Sequence, residues 1–170
     1  AWRKKVGEQT ANKISRQSSV RGTKIHGICE DYLNNKELDT EMLSFVEEDM
    51  FDNMRLYLDK IDNIHAIEQF LYSDHLRLAG QADCIAEFEG RLSIIDFKTS
   101  AKLKKKSYIK NYFAQCAGYA IMFEERTGIP IDQSVIIIGV QDEEPQLFVE
   151  QRDNYTDYLI ECRDLYENNA

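Results

Sequence analysis

Apolar positions along the chain recur with two different periods, and the switches between them mark out the elements. From about residue 10 to 35 they return every three or four residues, through Ile25, Ile28, Cys29, Tyr32 and Leu33, which is the spacing of an amphipathic helix. Residues 41–60 repeat that spacing through Leu43, Val46, Met50, Met54 and Leu58. Between Ile64 and Thr99 the texture turns strand-like. IHAIEQFLYS, LRLAGQADCIAEF and RLSIIDFKT predict three strands, the last two joined at the turn Glu89-Gly90-Arg91. A helix returns over 107–127 and is stopped by Gly128 and Pro130. VIIIGV and QLFVEQ predict two more strands about a DEEP turn, and a last helix runs from about Tyr155 to Tyr166. This order predicts an α/β fold, a central mixed β-sheet flanked by helices. No repeat or low-complexity linker breaks it. Residues 1–170 therefore read as one domain, with a helical part over about 1–62 and an α/β core over about 63–170.

Composition narrows the function more than the fold. At 170 residues and 43% hydrophobic content the chain can bury a core of its own. Its 30 acidic and 21 basic side chains leave a net charge of -9, a field that opposes general coating of a polyanion and leaves room for a local basic site. Cys29, Cys84, Cys116 and Cys162 lie far apart with no CxxC pair, which argues against a disulfide framework, a zinc site or an iron-sulfur cluster. No apolar run is long enough to span a membrane. The opening AWRKKVGEQT shows neither an apolar leader nor an initiator Met, as a trimmed fragment would. An intracellular protein with reduced thiols is the expectation.

The hairpin carries charges where strands should be interior. Alternation along RLSIIDFKT puts Asp96 and Lys98 on one face and Phe97 on the other. With Asp83 opposite Asp96, two carboxylates and an ammonium meet in a small patch. Two carboxylates that close repel, unless one keeps its proton or a cation lies between them. Hard oxygen donors with at most one histidine favour Mg²⁺ or Mn²⁺ over zinc. A lysine beside such an ion steadies developing negative charge, as phosphodiester hydrolysis requires. The competing reading is a strand-end ion pair, since D-x-K is a common tripeptide.

Position separates the two readings. GxxD (Gly80 to Asp83), a short hairpin and DxK (Asp96 to Lys98) resemble the core motifs of the PD-(D/E)XK nucleases, in particular their RecB-like exonuclease branch. RGTKIHGICE resembles the N-terminal helix motif of that branch, and Gln115 with Tyr119 in QCAGY resembles its QxxxY motif. Within the branch the succession is most similar to the mitochondrial genome maintenance exonucleases and their phage-encoded relatives. The likeness runs from about Trp2 to the strand at 135–140.

The resemblance implies a restriction-endonuclease-like core. It implies metal ligation by Asp83, Asp96, the backbone carbonyl of Phe97 and His26, with Lys98 as the catalytic lysine. Gln115 would hold Lys98 or the nucleic acid, with Tyr119 beside it among the substrate-facing residues. Glu68 matches the acid on the strand before GxxD, against the simpler reading of a solvent-facing strand acid. The implied cofactor is one or two Mg²⁺ or Mn²⁺ ions, without an iron-sulfur cluster. The implied activity is exonucleolytic hydrolysis of single-stranded DNA or frayed ends, leaving 5′-phosphates. A structure-specific endonuclease and a non-catalytic DNA-binding or assembly module are the alternatives. A phage protein in a bacterial cytoplasm is the favoured setting, a mitochondrial one the other.

The basic residues are unevenly spread, and this bears on the DNA. Lys102, Lys104, Lys105, Lys106 and Lys110 follow Lys98 directly, with Tyr108, Tyr112 and Phe113 interleaved. Lysines contact phosphates and aromatic rings stack on unpaired bases. Lys13, Arg16, Arg21 and Lys24 form a second cluster before His26. Arg21, Lys102, Lys104, Lys105, Lys106, Tyr108 and Tyr112 are thus expected to bind substrate, and the resemblance adds Tyr119 of QxxxY.

Overall fold

A computed structural model describes all of residues 1–170. The chain opens with a single short turn of helix, α1 (Trp2–Val6), broken by Gly7 at φ +84°, and continues as α2 (Glu8–Leu33) and α3 (Phe45–Leu58). Ser44 starts α3 through a capping box. Its hydroxyl accepts the Glu47 N–H at 3.2 Å, and the Glu47 carboxylate accepts the Ser44 N–H at 2.8 Å. Three strands follow, β1 (Ile61–Ser73), β2 (Leu78–Phe88) and β3 (Arg91–Ser100). Then come a 3₁₀ turn at Lys106–Tyr108, α4 (Lys110–Thr127), β4 (Gln133–Val140), β5 (Gln146–Gln151) and α5 (Thr156–Asn169).

The strands lie in chain order, β1-β2-β3-β4-β5, all neighbours antiparallel except β3 and β4. A parallel pair needs a crossover, and α4 supplies it before ending at Gly128 in the left-handed conformation. The sheet is therefore mixed and covered on both faces, as the pattern predicts. On one face α4 buries Phe113, Cys116, Ala120 and Phe123 against Ile85, Ile94, Ile136 and Ile138. On the other, α2 and α3 bury Ile25, Ile28, Cys29, Met50, Phe51 and Met54 against Cys84, Ile95, Phe97, Val135 and Ile137. The helices before residue 62 thus share a core with the sheet. No helix is long and apolar enough to cross a membrane.

Of the boundaries that differ from expectation, three concern the sheet and the helix that crosses it; α3 also starts four residues late, at Phe45, and α5 runs on to Asn169. The first strand begins at Ile61, not Ile64, because a register shift between Asp62 and Ala66, with Asn63 at φ +44°, breaks its alternation where it starts. Residues 107–109 form part of the 3₁₀ turn and a connecting residue, so α4 begins three residues late. The β2–β3 ladder stops at Cys84–Ile95, one pair short of Asp83 and Asp96.

Candidate active site

That early stop builds the site. Past Cys84, Asp83 does not complete a ladder pair; its Oδ2 accepts the backbone N–H of Phe97 at 2.9 Å. The Asp83 carboxyl then lies beside Asp96, near enough to share a proton. Burial first, and the Asp96 charge second, push Asp83 up to about 9 from an ordinary 3.8. Asp96 is 3% exposed. Its Oδ2 lies 2.9 Å from the Lys98 ammonium but forms no aligned hydrogen bond, so the contact is electrostatic and the oxygen keeps its lone pairs free.

Lys98 is held from three sides. Besides Asp96, it donates to Gln115 Oε1 at 3.3 Å and stands 4.9 Å over the Tyr112 ring. Burial opposes its charge, but the Asp96 carboxylate outweighs burial and lifts the ammonium above its ordinary value. It remains a cation. Gln115 Nε2 in turn donates to Tyr119 Oη at 3.0 Å, a pair that one turn of α4 brings together. Tyr119 is 7% exposed, and its ring fills the space over Gly80; a Cβ there would lie 2.7 Å from Tyr119 Cε1. The glycine of GxxD makes room for the tyrosine of QxxxY.

The second half of the cluster comes from α2 and β1. His26 Nε2 is 2.5 Å from Glu30 Oε1, 3.4 Å from Asp83 Oδ1 and 3.9 Å from Glu68 Oε1. Each of His26, Glu30 and Glu68 can offer a ligand atom within 4.8 Å of the others. Glu68 adopts φ +52° within β1, a conformation that a non-glycine residue in a strand rarely takes and that costs energy. Glu30 is pushed up to about 8 by burial and by the neighbouring Glu68 carboxylate. Glu30 is the acid that closes the helix motif RGTKIHGICE. Its spacing puts it four residues after His26 on one helix face.

The other predicted residues divide by exposure. Tyr119 and Phe113 are buried and offer no stacking face; Phe113 stacks on Tyr155 at 4.8 Å. Tyr112 is spent on Lys98, while Tyr108 is 76% exposed. Lys102 and Lys105 are exposed, and the main chain of Lys104 is tied both ways by the Gln146 amide. Lys106 pairs with Glu150. Arg21 is half-buried on α2, and Gly22 beside it faces Thr99 of β3. His65 and His75 are exposed, away from the cluster.

Charge pairing follows a pattern. Of the 21 lysines and arginines, eleven have a carboxylate within ion-pair distance. All the rest lie within residues 3–21 or 102–110.

The donor set suits a hard divalent cation. Two adjoining carboxylates that repel, an Asp96 oxygen and a Glu30 oxygen buried without hydrogen bonds, and one imidazole within reach are what such an ion would satisfy.

Comparisons with known proteins bear on the family and the fold. The chain is 24% identical over 145 residues to mitochondrial genome maintenance exonuclease 1 of Mus musculus, which covers 82% of this chain and 42% of that protein. The counterparts of Homo sapiens and Xenopus tropicalis are 23% and 27% identical over 146 and 153 residues. The chain spans about two fifths of the length of these curated relatives. A crystal structure from Eubacterium rectale, provisionally described as an exonuclease, superposes with a TM-score of 0.57 at 10% identity, over 88% of this chain and 65% of that one, and so shares the fold. The family model of the PD-(D/E)XK nucleases matches residues 1–168, which span all of the motifs assembled at the parted hairpin, and the chain belongs to the PD-(D/E)XK nuclease superfamily.

Proposed function

We propose that this chain is a divalent-metal-dependent deoxyribonuclease that works from single-stranded or frayed DNA ends and leaves 5′-phosphates. The observation that carries this reading is the meeting of Asp83, Asp96 and Lys98 where β2 and β3 part, with the lysine held 2.9 Å from Asp96. Asp83, Asp96, His26 and the Phe97 carbonyl would hold Mg²⁺ or Mn²⁺, and Glu30 and Glu68 lie close enough to His26 to orient it or to extend the donor set. The ion, when bound, supplies the positive charge that lowers the pKa of water and offsets phosphate repulsion.

The residues of the chain do the rest. Lys98, kept protonated by Asp96, donates to oxygen as negative charge builds on the phosphate. Gln115 fixes the direction of that ammonium, and Tyr119 fixes Gln115. The unpaired bases of residues 3–21 and 102–110 give a local positive surface on a chain of net charge -9. The named exonucleases that the chain resembles support end-dependent action.

Incubation of labelled single-stranded DNA with Mg²⁺ tests the reading. Lys98→Ala and Asp96→Ala are expected to slow cleavage by about 10² or more while DNA binding largely persists. Equal rates for wild type and Lys98→Ala would overturn the assignment. Circular single-stranded DNA is expected to stay intact; cutting it would make the enzyme an endonuclease on the same core.

A further inference from the structure

Arg21 stands apart from the arginines of the C-terminal two thirds of the chain. From Arg55 onward each arginine has a carboxylate partner, whereas Arg16 and Arg21 have none, in a chain where acids outnumber bases 30 to 21. Arg21 is moreover half-buried, and its Nε is enclosed without any hydrogen-bond partner. An enclosed, unsatisfied Nε costs stability and leaves the guanidinium uncompensated within the fold, so the part of Arg21 that lines the neighbouring cleft is left to meet an anion entering it.

The acceptor has a place to sit. Arg16, Gln17, Arg21, Ser44, Glu47 and Gln141 line an open cleft between α2, the start of α3 and the end of β4. The one carboxylate in it is already engaged, since Glu47 takes the Lys24 ammonium at 3.3 Å and the Ser44 N–H at 2.8 Å. Arg16, Arg21 and Lys24 against Glu47 leave the cleft doubly positive. It also adjoins the active site. A Cβ on Gly22 would touch Thr99 Oγ1 at 3.5 Å, and the Gln141 N–H donates to the Ser100 carbonyl at 3.0 Å, so the cleft borders the end of β3 just past Lys98. Along α2, the five residues from Arg21 to His26 span roughly 7.5 Å. The basic segment 102–110 leaves from the same end of β3.

We propose that this cleft is a phosphate subsite, in which Arg21, aided by Arg16, holds a phosphate of the DNA strand adjacent to the one being cleaved. The proposal rests on the nuclease reading for its substrate and adds to it a second anchor that fixes where the strand lies. A planar guanidinium presents paired N–H groups to phosphate oxygens, which a lysine does not. The phosphate is either internal to the strand or its terminal monoester.

Binding measurements on the Lys98→Ala background, with Mg²⁺ present, test this without cleavage. Anisotropy of an internally labelled single-stranded oligonucleotide is followed over a range of KCl, with phosphate or hydroxyl at each end. Arg21→Gln is expected to weaken binding about tenfold, with about 0.7 removed from the slope of log K against log salt. Arg21→Lys should restore the slope but only part of the affinity, which a purely structural role would not do. A loss confined to strands with one phosphorylated end assigns the terminal monoester, and an equal loss for every end assigns an internal phosphate. Unchanged affinity and slope in a folded Arg21→Gln would overturn the proposal. Should that variant fail to fold, Arg16→Gln and Arg21→Lys decide by the same two readouts. Failure of wild type to cut DNA with any divalent ion would sink the nuclease reading alone, because the subsite is judged by binding.

Discussion

Asp83 is caught between two demands, burial beside Asp96 and a hydrogen bond from Phe97 that favours its charge. Burial wins, and the sign of the consequence follows. In the unfolded chain this carboxyl ionises near 3.8, while in the metal-free fold it holds its proton up to about 9. The fold therefore binds the extra proton throughout that window, and stability falls as pH rises across it. Glu30, raised to about 8, acts in the same direction. Thermal melts of EDTA-treated protein are expected to show a midpoint that declines from about pH 5 to about pH 8, and Asp83→Asn should flatten the decline. Mn²⁺ should raise the midpoint more at the alkaline end, where protons no longer compete for the ligands. A metal-free midpoint that climbs with pH would contradict the burial argument. Gly80 makes a second case at this scale. Gly80→Ala sets a methyl 2.7 Å from the Tyr119 ring, which positions Gln115 and through it Lys98. Cleavage kinetics should show kcat reduced roughly tenfold or more with KM changed much less. The hairpin spacing brings Asp83, Asp96 and Lys98 to one locus, and it is the family resemblance, not the spacing, that adds Gln115. Neither reveals that Tyr119 is a buried prop, because a Gln-Tyr pair one turn apart reads the same whether its ring faces solvent or a glycine.

At the scale of elements, legibility tracks how one-sided each burial pattern is. QLFVEQ is found where the alternation puts it, and the apolar runs of β3 and β4 mark their strands to within two residues, since both are buried on two faces. β1 is an edge strand with mostly exposed residues and a bulge, so its start and the left-handed Glu68 leave no periodic trace. The lysine-rich segment hides the late start of α4 for a different reason: no side chain caps that helix, and the turn before it is 3₁₀. Close packing of one element on another is equally silent in the sequence. Gly139 of β4 lies under α3, where a Cβ would meet Met54 Sδ at 2.6 Å and Met54 Cγ at 3.2 Å. Gly139→Ala must push α3 off the sheet or drive Met54 out of its rotamer, at a cost of about 1–3 kcal/mol. Denaturant titration should record that loss as a lower midpoint with an unchanged slope, and an unaltered midpoint would show that Met54 yields freely.

Over the whole molecule, the bases without a carboxylate partner fall in two segments of the chain, residues 3–21 and 102–110. The pairing of Lys36 with Asp31 and Lys60 with Glu89 neutralises bases that lie outside the two open segments. Residues 3–21 and 102–110 keep theirs free except for Lys106, which Glu150 holds, and Gly22 against Thr99 brings α2, which continues the first segment, to the strand end from which the second departs. If DNA lies along these segments, each phosphate it sets against them releases counterions, and the salt dependence of binding counts them. Replacing Lys102, Lys104 and Lys105 together by Gln should therefore flatten the slope of log K against log salt by about 2 for a single strand, at about 0.7 per phosphate. These side chains stand outside the metal-ligand set, so kcat at saturating DNA and low salt should be nearly unchanged. Lys36→Gln and Lys60→Gln, which remove the same formal charge elsewhere, should leave the slope as it was. The two outcomes separate a track from mere net charge. A general field would weaken by similar amounts wherever a positive charge is lost, whereas a track weakens only where phosphates lie.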